Sequence, residues 1–111
     1  MQAPPLPDDE DARLEALYAY DILDTLPEER FERLADLAAT VADKPMAWIT
    51  LVDEDRQWIK SCIGVDLDET DREISFCGHA ILQPDEIMVV EDATEDPRFE
   101  DNPLVTSGTP A

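Results

Sequence analysis

Residues 45–64, PMAWITLVDEDRQWIKSCIG, constrain the chain more than any other stretch, because two strand-like runs sit back to back across a short charged link. In the first run Ala47, Ile49 and Leu51 alternate with Met46, Trp48, Thr50 and Val52, so both faces are apolar enough to be covered, as near the middle of a sheet. In the second, Trp58, Lys60 and Cys62 alternate with Ile59, Ser61 and Ile63, and one face carries polar atoms that reach water. Asp53, Glu54, Asp55 and Arg56 between the runs are turn formers, since an Asp side chain bonds its own backbone two residues on. An antiparallel hairpin follows, with everything else packed around it.

The chain is taken in order from its start. Residues 1–9 carry three prolines and little apolar surface, and are expected to be a disordered lead-in. Residues 10–105 form the domain. Leu14, Leu17 and Tyr18 recur at helical spacing from Glu10 to about Asp21. Thr25 and Glu28 have the spacing of a capping box, so a second helix starts there and runs to about Ala42, with Phe31, Leu34, Leu37, Ala38 and Val41 on one face. After the hairpin, 65–73 is polar and reads as a loop. Ser75 caps a short helix whose inward residues are Phe76 and Ala80, and Pro84 stops it. Residues 87–92 read as a buried strand, and Asp96–Pro97 as the start of a single helical turn over 98–101. Residues 102–111 have neither periodicity nor bulk, and 106–111 are expected to be a disordered tail. The apolar strand at 46–52 and the strand at 87–90 would keep open edges, which proteins normally cover.

Charge narrows the function. With 28 acidic and 8 basic residues, the formal net charge is −20, spread along the chain. Such a surface repels phosphate backbones, which excludes nucleic acid as a partner. It also implies a salt-loaded cytoplasm of the halophilic kind, because at about 1 M salt the Debye length falls to about 3 Å and self-repulsion is screened. No run of about 18 apolar residues crosses a membrane, and no basic, apolar leader marks a secreted protein, so the expected place is the cytoplasm. Cys62 and Cys77 are then two thiols.

Few residues suggest chemistry. Cys77 and His79 are two apart and do not face each other on a helix, so they form no internal dyad, although both could border one cavity. Cys77 lies near the positive helix end, which favours a thiolate, against nearby carboxylates; it reads as a buried structural thiol or as one that meets a ligand. His79 is the single histidine, and with two cysteines it cannot complete a four-ligand zinc site. The acidic runs lack calcium-loop order, and the three glycines form no phosphate-cradling loop. Trp48 and Trp58, with Phe76 opposite, could line a pocket for a flat or apolar ligand. Ordinary core packing suits Trp48 better, and Trp58, on the more polar arm, stays open as a pocket residue.

Taken together, YDILDTLPEERFERLADLAA, ITLVDEDRQWIKSCIGVD and EISFCGHAILQPDEIMVVEDATEDPRFEDNPLV resemble the N-terminal part of a GAF domain, of the subgroup found ahead of histidine kinase or diguanylate cyclase modules. The resemblance implies an α/β (α+β) sensor fold, an antiparallel sheet flanked by helices, here incomplete at its C-terminal end. It implies a small-molecule pocket drawing on Trp58, Ser75, Phe76, Cys77, His79 and Ala80, without naming a ligand or cofactor. Bilin attachment is not carried over, because Gly78 separates Cys77 from His79. The expectation is a sensory or regulatory module in signal transduction and not an enzyme, working as a homodimer or through a histidine kinase or diguanylate cyclase partner. A second expectation is an interaction module that recruits another chain along open strand edges.

Overall fold

The computed structural model describes residues 2–64 and 66–106. It is an α+β fold, with an antiparallel three-stranded sheet in the order β1-β2-β3 flanked by helices. Helices α1 (Glu10–Ala19) and α2 (Glu29–Ala42) come first, then strands β1 (Ala47–Val52), β2 (Arg56–Ile63) and β3 (Glu69–Asp71). A single 3₁₀ turn at Arg72–Ile74 leads into the short helices α3 (Phe76–Ala80) and α4 (Pro103–Thr106).

The second helix begins later than the capping-box spacing predicts. Pro27 disfavours helical geometry at Leu26 before it, so the chain cannot coil from Thr25. Helix α2 starts instead after an extended Glu28, and the Thr25 hydroxyl donates to the Ile22 carbonyl at 2.6 Å. The apolar period of α2 is present but rotated by about one position. Ala35 and Ala39 are the residues buried on the sheet, while Leu34, Leu37 and Val41, expected inside, stay exposed. Small side chains let the helix lie close against the strands. The helix ends at Asp43 in the left-handed region, where Asp is tolerated.

The hairpin forms as expected, with one irregularity that decides the rest. Ile49 pairs with Ser61 and Thr50 with Ile59, so Lys60 is an extra residue bulged between them. The strict alternation of Trp58, Lys60 and Cys62 is therefore broken, and Cys62 lies opposite Trp48 while Trp58 lies opposite Leu51. Thr50 faces α3, where its hydroxyl donates to Cys77 Sγ at 3.2 Å. Leu51 and Trp58 consequently face the other way, towards α2.

The structure differs from expectation in several other segments. The supposed loop at 65–73 contains β3, which pairs with β2 through Gln57 and Thr70. The supposed strand at 87–90 is irregular, with Ile87 and Val89 exposed. It pairs with none of the three strands, and strand propensity is realised only against cross-strand neighbours. The lead-in also lies against the body of the fold: Gln2 N–H donates to the Arg98 carbonyl at 3.2 Å, and the Pro4 ring packs at Gly78. A Cβ on Gly78 would come within 2.7 Å of that ring, so the approach requires glycine there. Helix α4 arises where no element was expected, because Asn102 Oδ1 accepts from Leu104 N–H at 2.9 Å and so caps it. Of the supposed tail, Thr106 belongs to α4 and the rest lies outside the described residues.

A buried ionic cluster fixes α1 to the hairpin turn. The Arg72 guanidinium meets the Glu10 carboxylate and the Asp53 and Glu54 carbonyls at 3.0 and 3.2 Å. Arg13 adds a second link, from the same Glu10 to the Val52 carbonyl. No helix of the described residues is long and apolar enough to cross a membrane.

Candidate functional site

The site is built by the segment that follows the sheet. Ser75 is fully buried; its hydroxyl donates to the Arg72 carbonyl and accepts from Gly78 N–H, both at 2.9 Å, which starts α3 where the sequence predicts. Phe76, the first residue of α3, stacks on the fully buried Phe99 with ring centroids 3.9 Å apart. Phe99 comes from the turn after Asp96, whose carbonyl accepts from Phe99 N–H at 2.9 Å. Asn102 then ties this turn back, donating from Nδ2 to the Ile74 carbonyl at 2.8 Å.

Between the hairpin and α3 these contacts leave a cavity of about 240 Å³, lined by Met46, Ala47, Trp48, Gln57, Phe76, Cys77 and Leu104. No lining residue carries a formal charge. Burial pushes the Cys77 thiol above its ordinary pKa, and the Thr50 hydroxyl offsets only part of that, so the sulfur is a neutral thiol. The helix end does not make it a thiolate. Two lining residues hold a buried polar atom without a hydrogen-bond partner among the described residues, the indole Nε1 of Trp48 and the amide Oε1 of Gln57. Ser61 Oγ and Arg72 Nε are also unpaired, but neither residue lines the cavity.

The six residues expected at one pocket are divided by the structure. Phe76 and Cys77 line the cavity. Ser75 is spent on capping α3. His79 and Ala80 border a different groove beside Arg98 and Met88, and His79 Nε2 lies 2.9 Å from the Gln2 carbonyl oxygen, with its ring edge-on to Phe99. Trp58 is on the α2 face, 6.0 Å from the Lys60 ammonium, which in turn sits 5.4 Å from the Phe31 ring. Trp48, expected as core packing, lines the cavity, whereas Trp58, left open as a pocket residue, borders a separate groove on the α2 side with Thr25, Glu32 and Lys60. Met46, Ala47, Gln57 and Leu104 were not anticipated. Gln57 follows Arg56 and precedes Trp58, so its inward position had no signal in the sequence. Among the described residues no three His, Cys, Asp or Glu side chains come together to hold a metal ion.

No protein-family model matches the chain. It is 40% identical, over 105 residues, to a cyclic di-GMP phosphodiesterase of Pseudomonas aeruginosa. The match takes in 95% of this chain and 18% of that relative's length. The expectation that the chain is not an enzyme is corrected by this likeness, since the relative matched over nearly the whole chain is named as a phosphodiesterase.

Proposed function

We propose that this chain is the sensory part of a signalling enzyme that acts on cyclic di-GMP, built on a GAF-type fold whose cavity between hairpin and α3 receives a small molecule. The observation that carries the reading is the likeness to a phosphodiesterase of which the chain corresponds to 18%, a share suited to one regulatory module of a longer enzyme. The cavity supports it. Its walls come from β1, β2, α3 and α4, so an occupant would touch most of the fold at once. Helix α3 is joined through the 3₁₀ turn to Arg72, and Arg72 grips Glu10 of α1, which gives a bound molecule a physical route to the N-terminal helix. Such coupling requires that the occupant favour one of two arrangements of these parts. A homodimer in a salt-rich cytoplasm belongs to the same proposal, on the strength of the acidic surface and the exposed Leu34, Leu37 and Val41 of α2.

The test replaces the matched segment of the Pseudomonas aeruginosa phosphodiesterase with this chain and measures cyclic di-GMP hydrolysis. Filling the cavity with Ala47→Trp should change the rate several-fold, while the surface substitution Glu15→Gln leaves it unchanged. Equal rates for the chimera, its Ala47→Trp variant and a version lacking the segment would refute the sensory reading.

A second reading rests on the sheet. Strand β1 is an edge strand whose residues 47–51 are only half-buried, a geometry that admits an added strand from another chain. A mass that rises with concentration in light scattering, without any small-molecule effect in the chimera, would favour it.

A further inference from the structure

We infer that helix α1 is a detachable strap, held on the hairpin turn by a polar seam in place of a hydrophobic core, and that it opens as a unit while the sheet, α2 and α3 stay folded. No occupant of the cavity is needed for this, so it stands or falls apart from the sensory reading. The apolar side of α1 is slight. Of its ten residues only Leu17 is buried, and Leu14 is half-buried. A helix of that length is marginal in water without tertiary contacts, so the polar ties decide whether it stays in place.

The seam has three ties, and all end at the hairpin turn or on Arg72, which grips that turn. The Glu10 carboxylate accepts from Arg72 Nη1 at 2.5 Å and from Nη2 at 3.2 Å. Arg13, bonded to the same Glu10, donates to the Val52 carbonyl. Further along the helix the Tyr18 hydroxyl donates to Asp53 Oδ1 at 2.7 Å. Glu10 belongs to two of the three ties, so removing its charge loosens both and leaves the buried Arg72 without its carboxylate. Anchors bound the strap on either side. Gln2 and Pro4 are fixed at Arg98 and Gly78, and Asp24 is clamped by Arg56 through two bonds of 2.7 Å. Asp21 and Asp24 both hold positive φ, 51° and 60°, so the link to α2 has the irregular backbone of a hinge. When shut, the strap covers the backbone of Val52 and the carboxylate of Asp53.

Charge decides when it lifts. The cations facing Glu10 are Arg72 and Arg13, with Arg56 reached through Asp53. The like charges around the seam are Asp8, Asp9 and Asp11 at the start of α1, Asp53, Glu54 and Asp55 in the turn, and Asp71 and Glu73 beside Arg72. The hydrogen bond from Arg72 holds the Glu10 carboxyl below its ordinary pKa, and burial offsets only part of that. Burial would raise Asp53, but the bonds from Tyr18, the Glu54 N–H and Arg56 outweigh it and lower this carboxyl too. The contribution of Glu10 is therefore present above the unfolded value of about 4.3 and is lost as pH falls through the folded value. Molar salt screens the exposed like charges far more than the enclosed pair, so salt shuts the strap and acid opens it.

The experiment is amide hydrogen exchange of the full nitrogen-labelled chain in molar potassium chloride from pH 7 to pH 3, with each rate divided by its intrinsic value at that pH. Below about pH 4 the amides of 14–19 should lose about tenfold in protection while those of β1, β2 and α2 keep theirs. Glu10→Gln should bring a loss of about tenfold to pH 7, confined to the same amides. Tyr18→Phe removes the third tie and should cost them about threefold, which decides the matter if circular dichroism shows Glu10→Gln to be unfolded. Protection lost in α1, β1 and β2 together at every pH, or α1 as well protected in the folded variants as in the natural chain, overturns the inference.

Discussion

The two faces of the hairpin carry one tryptophan each and differ in how fully their buried polar groups are paired. On the α2 face the Lys60 side chain is fully buried, yet its ammonium is held by Thr25 Oγ1 and the Leu26 carbonyl at 2.7 Å and by Glu28 at 2.6 Å. On the α3 face, Trp48 Nε1 and Gln57 Oε1 have no hydrogen-bond partner among the described residues, and on the α2 side the Ser61 hydroxyl, opposite Ile49, has none either. A buried polar group left unpaired costs about 1–3 kcal/mol, so the α3 side carries that cost at two atoms and the α2 side, where the Lys60 ammonium is fully held, at one. Binding sites are where a fold tolerates that weakness. The comparison sets a side whose buried charge is fully held against a side whose uncharged cavity can admit an occupant.

The difference can be broken most severely at Phe99, which holds the α3 side together. Phe99→Ala should cost about 3–5 kcal/mol in urea unfolding and free Phe76 to move. On the opposite face, Lys60→Met leaves Glu28 and the Leu26 carbonyl without their cation and should cost about 1–3 kcal/mol. A neutral or stabilising result there would remove the α2 half of the contrast. Trp48→Phe deletes a donor that has no partner, so its effect on stability should stay below about 1 kcal/mol.

Acid and alkali sharpen the same contrast with the smallest effects. The hydrogen bond from Lys60 holds the Glu28 carboxyl below its ordinary pKa. Its contribution is present above the unfolded value of about 4.3 and is lost as pH falls through the folded value. The melting-temperature gap between the natural chain and Glu28→Gln should therefore narrow from pH 7 to pH 3. Cys77 behaves in reverse. Burial raises its pKa, so its contribution is full below the unfolded value of about 8.5 and is lost as pH rises beyond it. Cys77→Ala should flatten the alkaline limb of the stability curve and leave the acid limb alone.

The hairpin, the Ser75 cap and the end of α2 were legible in the sequence because each depends on local chemistry: alternation, a hydroxyl at the right spacing, a turn before Pro45. What escaped depended on contacts far along the chain. A single bulge at Lys60 decided which tryptophan meets α3, and no pattern of two announces a bulge. The phase of α2 escaped because two alanines compete with larger residues for the sheet, and close approach favours the small ones. Strand β3 is three residues of polar sequence that exist through Gln57 and Thr70, while the more apolar 87–90 found no partner. At the site, Phe76 and Cys77 were visible as a motif, whereas Leu104 reaches the cavity only through the Asn102 cap.

The most direct measurement follows the indole N–H resonances of Trp48 and Trp58 in a nitrogen-labelled chain at molar salt while small uncharged aromatic compounds are added. Recognition confined to the α3 face predicts that the Trp48 signal moves and saturates while that of Trp58 stays in place. A Trp48 resonance that never moves, or two resonances that drift together, would contradict it.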